Sequence, residues 1–246
     1  MMRFILFITK IIVATTIALL FASCRFDVDL GPGLEGDGNV VTENRNNDTP
    51  FTAIEISRGL ELEVEQSSER SISVVADKNL QQHITTEVNN GILTITTDVD
   101  INDASSKKII VKLPDITSLQ ASSGAFIESL NTIKGQNIGL TTSSAGEIKI
   151  SVEADNVTVE SSSGSNVRLK GKAFKLETDA SSGSVIDAEA MLANDVISDA
   201  SSGSVTSVYP LGSLKAEASS GSSVTYHNEP KNISRDASSG GSITKE

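Results

Sequence analysis

Ala121-Ser122-Ser123-Gly124 is the stretch of sequence that decides the fold, because close variants of it recur through the second half of the chain. The glycines that end the seven copies are separated by 22, 18, 19, 20, 18 and 19 residues. A period near 20 residues is typical of a solenoid, in which each repeat forms one coil of a stack. These glycines are Gly124, Gly146, Gly164, Gly183, Gly203, Gly221 and Gly240.

Small residues suit the corner of such a coil, where the chain must bend without colliding with the coils above and below. Glycine adopts positive φ at little cost, and serine hydroxyls can bond to backbone groups at the bend. The core must also be narrow, because the 246 residues include two tyrosines and no tryptophan. We therefore predict an all-β fold, a parallel β-solenoid with coils of about 19 residues and Ser-Ser-Gly corners.

The alternation of residues before each corner predicts which side chains face the core. Counted back from the motif glycine, the seventh, fifth and third positions are mostly apolar or small, so we expect them to point inward. In the second repeat this alignment places Gly139, Thr141 and Ser143 inward. The fourth position lies between inward positions, and we expect it to face solvent.

Carboxylates occupy that outward fourth position in the last five repeats, whereas the first two repeats carry Gln120 and Thr142. Stacking would place neighbouring carboxylates about 5 Å apart, where like charges repel by about 1 kcal/mol in water. One hypothesis is a weak site for Ca²⁺, a cation that prefers oxygen ligands. The alternative is a solvated acidic face that limits aggregation. The five residues are Glu160, Asp179, Asp199, Glu217 and Asp236.

The N-terminus has the pattern of a bacterial lipoprotein signal peptide. Arg3 and Lys10 supply positive charge before a 12-residue, mainly apolar stretch, Ile11–Ala22, that is too short for a membrane span. We expect residues 1–23 to be removed and Cys24, the only cysteine, to carry the lipid. The alternative is an ordinary signal peptide followed by a chance cysteine. The glycine-rich residues 24–36 are predicted to form a flexible tether.

Residues 37–246 are predicted to form one domain, with an irregular lobe over 37–115 and regular coils over 116–246. Alternating runs in the lobe predict strands, and Asn89-Asn90-Gly91 predicts a tight turn between two of them. Asp77 to Ile84 is the one candidate helix, with Asp77 as its N-cap. The last coil has few residues after Gly240, which predicts an exposed sheet edge open to self-association.

Composition and motifs argue against catalysis and against nucleic-acid binding. The net charge of −12 lacks the basic footprint that nucleic acids require. The two histidines, His83 and His227, stand in unrelated contexts, and no metalloprotease, nucleotide-binding or hydrolase motif is present. A carbohydrate-active enzyme that uses Asp179 and Asp199 as acid and base is the alternative. Scattered lysines and arginines and few tyrosines fit that alternative poorly.

A series of short motifs, followed by the Ser-Ser-Gly turns, resembles the bacterial family called "putative auto-transporter adhesin, head GIN domain". The resemblance covers about residues 36–246 and implies a right-handed parallel β-helix-like fold on the cell envelope, with no catalytic residues to assign. The motifs are Gly36–Arg45, Phe51–Ile56, Leu62–Gln66, Val75–Leu80, Ile84–Val88, Gly91–Ile95 and Val111–Pro114.

Together these features predict an envelope lipoprotein of a Gram-negative bacterium, anchored through Cys24 in the outer membrane and not an enzyme. We expect the solenoid to bind a glycan, an envelope polymer or a protein as an adhesin or binding module. A purely structural spacer is a further alternative.

Overall fold

The computed structural model describes residues 33–46 and 49–246, and Leu34–Glu246 form one compact unit. The described residues form strands, turns and bends but no helix, and thus no apolar helix long enough to cross a membrane. The first nine strands are β1 Leu34–Glu35, β2 Val40–Asn44, β3 Ala53–Ile56, β4 Glu61–Gln66, β5 Ser71–Asp77, β6 Ile84–Asn89, β7 Ile92–Thr97, β8 Ile101–Asp103 and β9 Lys107–Leu113.

The second half of the chain is built mainly from five long strands of 14 to 17 residues, each running from one corner to the next. Together with shorter strands at both ends they complete the sheet. These strands are β10 Ser118–Ala121, β11 Phe126–Thr142, β12 Glu147–Ser161, β13 Asn166–Ala180, β14 Val185–Ala200, β15 Val205–Ala218, β16 Ser223–Tyr226, β17 Asn232–Ala237 and β18 Ser242–Lys245.

Successive long strands pair in parallel, one coil onto the next, from β11 to β15. Val157 of β12, for example, lies in register with Leu176 of β13, which lies in register with Val196 of β14. The stack has about seven coils of about 19 residues, so the prediction of an all-β solenoid is confirmed. Breaks in the pairing divide each coil into a first segment after the corner, a second segment, and a third segment before the next corner.

The core is a set of side-chain columns that run through the stack. One column on the third segments becomes smaller and more polar from coil to coil, and all its members are buried between Leu119 and Ala216. Because each member contacts the ones above and below it, a gradual change in size lets the coils stay evenly stacked. The column contains Leu119, Leu140, Val159, Thr178, Ser198 and Ala216.

Each corner is a tight turn whose two central residues have positive φ. At one of them Ser202 and Gly203 have φ of 52° and 71°, and the N–H of Ser204 donates to the carbonyl oxygen of Ser201 at 3.2 Å. This is the pattern of a type I′ turn, which favours glycine. The prediction of positive φ is confirmed for Gly124, Gly164, Gly183, Gly203, Gly221 and Gly240.

The second corner differs from the prediction by one residue. Its positive φ angles are at Ser144 (49°) and Ala145 (61°), whereas Gly146 follows the turn. A Cβ at Gly146 would lie 2.3 Å from the carbonyl oxygen of Ala121, so the glycine is needed there for close approach between coils. The predicted inward residues of this repeat are therefore wrong, and the core instead contains Ile138, Leu140 and Thr142.

The stack begins earlier in the chain than predicted. Arg58 and Gly59 have φ of 59° and 67°, and the N–H of Gly59 donates to the carbonyl oxygen of Ser123 at 2.9 Å. β3 and β4 thus form a coil in register with β10 and β11. This corner was not predicted, because an arginine stands where the repeat has serine.

Antiparallel strands cover the N-terminal end of the parallel stack. β7 and β9 pair in parallel with β3 and β4, and then β6 pairs antiparallel with β7 and β5 with β9. β2 pairs antiparallel with β5. β1, which pairs with β8, lies inside the segment predicted as a tether, and residues 24–32 of that segment lie outside the described residues.

Two local predictions in this lobe have different outcomes. The turn between β6 and β7 is confirmed, with positive φ at Asn90 and Gly91. The helix over Asp77 to Ile84 is wrong, because Asp77 ends β5 and a series of turns follows. The buried Asp77 carboxylate accepts the N–H of Ser105 at 3.0 Å from a distant loop, so it does not cap a helix.

The last coil carries an inward-pointing charge. Arg235 of β17 follows Ala216 in the core column, lies 5.9 Å over the Tyr226 ring and donates to its hydroxyl at 3.1 Å. Within the described chain, β17 and β18 pair on one edge only, with β15 and β16. An inward charge is a common protection of an open edge, and self-association through this edge stays a prediction.

Candidate binding surfaces of the solenoid

The acidic column faces solvent, as its position in the repeat predicts. Glu160, Asp179, Asp199, Glu217 and Asp236 are exposed and lie in register on successive coils. In the second repeat the column contains Thr141, not Thr142 as predicted. Thr142 is buried, and its hydroxyl donates to the hydroxyl of Ser161 at 2.9 Å.

Crowding of like charges in this column is visible at Asp199. Partial burial, followed by the neighbouring carboxylates of Glu217 and Asp179, raises the pKa of Asp199, and the ammonium of Lys215 opposes the shift. Lys215 is itself paired with Glu217 at 2.9 Å. Four of the carboxylates line an open hollow of about 260 Å³ beside the corners: Asp179, Asp199, Glu217 and Asp236.

The column presents one carboxylate per coil instead of a cluster. In the described part of the chain, no group of three or more histidine, cysteine, aspartate or glutamate side chains is arranged to hold a metal ion. The Ca²⁺ site at these five residues therefore stays a prediction. A solvated acidic face accounts for the column without a cation.

The two histidines lie far apart in the sequence and have different partners. His83 Nδ1 lies 2.8 Å from Asp98 Oδ1, and His227 Nε2 lies 3.8 Å from Glu189. Neither ring is hydrogen-bonded to a serine hydroxyl among residues 33–46 and 49–246. Within this described part of the chain no serine–histidine pair is brought together, and Asp179 and Asp199 have no histidine beside them in their hollow.

A groove crosses the first segments of four neighbouring coils, and we call it the β11–β14 groove. It has a volume of about 350 Å³, within the range of small-ligand sites. Ile150 and Leu169 lie beneath it, and Ser129 and Ser151 line it. Charged residues of both signs form its sides: Glu128, Lys149, Arg168, Lys170, Asp187 and Glu189.

Two irregularities in strand pairing flank this groove. The register of β11 against β12 shifts between Glu128 and Thr132, and that of β13 against β14 shifts between Arg168 and Lys170. Such bulges bend strands and re-aim side chains, so they open the sheet surface here. The groove was not predicted, because the alternation of side chains within one strand does not reveal a bulge.

Two ion pairs neutralise most of the charge on the sides of the groove. Lys149 Nζ lies 2.7 Å from Glu128 Oε1, and Arg168 Nε lies 3.0 Å from Asp187 Oδ2. Both pairs connect residues that are in register on adjacent strands. Lys170, the third cation, takes part in none of the ion pairs between described residues.

A second, neutral hollow lies on the N-terminal coils. It has a volume of about 580 Å³ and is lined mainly by polar side chains, including Thr117, Asn137 and Asn156. Asn156 Nδ2 donates to Asn137 Oδ1 at 2.8 Å, so two of its amides are already hydrogen-bonded to each other. Cys24, the predicted lipidation site, lies outside the described residues.

Comparison with known proteins connects the chain to one family. A family model described as "Putative auto-transporter adhesin, head GIN domain" matches residues 50–230. A comparison with curated proteins gives no match.

Solved structures share the fold. A putative adhesin from Bacteroides fragilis is 17% identical, with a TM-score of 0.80 over 87% of this chain and 100% of that one. A putative adhesin from Parabacteroides merdae is 17% identical, with a TM-score of 0.71 over 87% and 98% of the two chains. A Parabacteroides distasonis protein described as a putative lipid binding protein is 20% identical, with a TM-score of 0.71 over 87% and 99%.

Proposed function

We propose, because this chain belongs to the head GIN domain family of adhesin-like proteins, that it is a bacterial cell-envelope lipoprotein whose solenoid binds an external ligand. The family match covers residues 50–230, which include most of the coils, and this match is the observation that carries the proposal. The outer faces of the coils add open grooves that suit binding.

Binding without catalysis is the activity that the described geometry supports best. The grooves lie on a rigid parallel sheet, and rigid elements hold a binding surface more precisely than loops do. If the protein turned over a glycan and the Asp179→Asn/Asp199→Asn variant lost that activity, a carbohydrate-active enzyme would be favoured instead.

Anchoring through Cys24 completes the proposal and places the protein in the outer membrane of a Gram-negative bacterium. The support is the sequence pattern of residues 1–24. Several acyl chains on one cysteine would hold the protein firmly, since each buried CH₂ contributes about 0.8 kcal/mol.

Protease treatment of intact cells, followed by mass spectrometry of this protein, tests where the solenoid is displayed. Release of solenoid peptides from intact cells is the expected result for an adhesin. Protection until the outer membrane is broken would contradict surface adhesion and favour a periplasmic binding or spacer role.

Ligand binding is tested separately with the purified full chain on an array of glycans, envelope polymers, matrix proteins and lipids. Lipids belong on the array because a structure of the same fold is described as a putative lipid binding protein. Binding to one ligand class is the expected result. Failure to bind any of these classes would contradict a binding module and favour a structural spacer.

A further inference from the structure

The outward face of β13 carries cations within a strongly acidic protein. Arg168, Lys170 and Lys172 are exposed and alternate with Leu169, which is buried, and Gly171. The net charge of the chain is −12, and the acidic column lies on other segments of the same coils. An anionic ligand therefore meets less repulsion at this strand than at the acidic column.

Two of these cations, Lys170 and Lys172, form no ion pair with any described residue. Lys170 is flanked in register by Ser151 and Ala190, which carry no charge. Lys172 is flanked by Glu153 and Leu192, and Glu153 is already paired with Lys134 at 3.2 Å. Among the described residues, neither lysine forms an ion pair, so both ammonium groups are available to a ligand.

The shape of the surface favours a linear ligand. The β11–β14 groove crosses four strands, which at a spacing of about 4.8 Å corresponds to about 14 Å along the stack. Lys170 lines this groove, and Lys172 follows two residues later on the same strand. Phe174, which is 62% exposed, comes two residues after Lys172 on β13.

The groove also presents carboxylates and hydroxyls, and these groups favour one class of anionic ligand over the others. Glu128 and Asp187 are paired with Lys149 and Arg168, so Glu189 is the carboxylate of the groove that most repels the uniform negative charge of an anionic membrane or a nucleic acid. An acidic glycan alternates carboxylates with hydroxyls. Its carboxylates can accept hydrogen bonds from the lysines, and its hydroxyls can donate to the protein carboxylates.

We propose that the β11–β14 groove binds a segment of a carboxylate-bearing polysaccharide, whose carboxylates contact Lys170 in the groove and Lys172 two residues further along β13. The inference rests on the proposed function, because it names the ligand class of that binding module. The basic residues are scattered along the sequence, but the fold brings several of them together. The fold brings Lys149 of β12 beside Arg168 and Lys170 of β13.

Binding of polygalacturonate to the purified full chain in a non-ionic detergent tests the proposal, with dextran as the neutral control polymer. We expect binding of polygalacturonate, weakening with salt, and no binding of dextran. Lys170→Glu/Lys172→Glu should weaken binding by about tenfold or more, which corresponds to about 1.4 kcal/mol. Both side chains are exposed and unpaired among the described residues, so the variant should fold normally.

Two further variants distinguish a specific binding site from non-specific electrostatic attraction of the polyanion. Lys78→Glu makes the same charge change at an exposed lysine in the turn after β5, and it should leave the affinity within about twofold. Ala190→Phe adds bulk at an exposed position in the groove beside Lys170 without altering charge, and it should weaken binding. Equal weakening by Lys78→Glu, or full binding by Ala190→Phe, would overturn the proposal.

The lipid alternative is tested with detergent micelles that contain phosphatidylglycerol. Association with these micelles that depends on Lys170 and Lys172, together with no binding of polygalacturonate, would overturn the glycan proposal in favour of a membrane surface. If the protein binds another ligand class on the array and the double variant leaves that binding intact, only this inference fails. Absence of any binding contradicts the proposed function itself.

Discussion

The backbone N–H of Ala145 donates to the carbonyl oxygen of Ser163 at 3.2 Å, in the place that a glycine N–H fills at the other repeat corners. The equivalent bond runs from Gly203 to Ser220 at 3.0 Å. The corners are therefore linked to one another by a ladder of their own, in addition to the ladders of the strands. Ala145 keeps its φ of 61° in spite of its Cβ because this ladder and the strands on both sides hold it there.

Replacing Ala145 by glycine should stabilise the protein. Glycine adopts positive φ without the penalty that a Cβ imposes, and the gain is partly offset by the greater freedom of glycine in the unfolded chain. We expect the free energy of unfolding to rise by about 0.5 kcal/mol. The measurement is the urea midpoint at unchanged denaturant slope.

Two alanine variants provide the matched controls for this corner effect. Gly203→Ala meets no atom within 4 Å but has φ of 71°, and it should lose about 1 kcal/mol from strain alone. Gly146→Ala has no positive φ but places Cβ 2.3 Å from the carbonyl oxygen of Ala121, so it should be destabilised by the clash. A stable Gly146→Ala variant would contradict the assignment of the corner to Ser144 and Ala145.

Removing one partner of the buried hydrogen bond between Thr178 and Ser198 should destabilise the protein more than removing both partners. The hydroxyl of Thr178 donates to that of Ser198 at 2.9 Å in the core column. Ser198→Ala leaves the Thr178 hydroxyl without its acceptor and should lower the free energy of unfolding by about 1–3 kcal/mol. The Thr178→Val/Ser198→Ala variant should recover most of this loss. A double variant that is as unstable as the sum of the single variants would contradict the pairing.

Stability should depend on pH through Asp199. Burial and neighbouring carboxylates raise the pKa of Asp199 above its ordinary value of 3.8, so the folded state binds its proton more tightly than the unfolded state does. This carboxyl therefore lowers stability as pH rises from about 4 towards neutrality. Asp199→Asn should have a higher urea midpoint than the wild type at pH 7, and the difference should shrink below pH 4. A difference that is constant with pH would contradict this.

Calcium titration separates the two explanations of the acidic column. Because the carboxylates lie one to a coil, we expect at most weak binding, in the range of about 10⁻⁴–10⁻³ M that open calcium sites show. The Asp179→Ala/Asp199→Ala variant should lose the calorimetric signal. If the wild type gives no heat above buffer, the calcium hypothesis is wrong and the column is a solvated acidic face.

Lipid attachment should depend on Cys24, the only cysteine of the chain. Cells that express the protein and are fed radiolabelled palmitate should transfer label to the wild type, and the wild type should partition into the detergent phase. Cys24→Ser should lose both properties. Label retained by Cys24→Ser would contradict the lipoprotein proposal.

The period near 20 residues and the alternation before each corner were sufficient to predict an all-β solenoid with an outward acidic column from Glu160 to Asp236. The direction of the acidic column depends on strand geometry within one coil, where every second side chain faces the core, so the alternation within a single strand is enough to predict it. The positive φ of Gly203 and its equivalents was predictable for the same local reason.

Other features were decided only by contacts between residues far apart in the sequence. The turn at Ser144 and Ala145 was selected by the Ala121 carbonyl that Gly146 must approach. The corner at Arg58 and Gly59 was selected by the hydrogen bond from the Gly59 N–H to the Ser123 carbonyl. The β11–β14 groove, and the lack of an ion pair between Lys170 and any described residue, likewise result from bulges and from the residues that the adjoining coils place in register. Such contacts join positions about 20 or more residues apart, and the alternation of one strand contains no information about which neighbour will lie beside it.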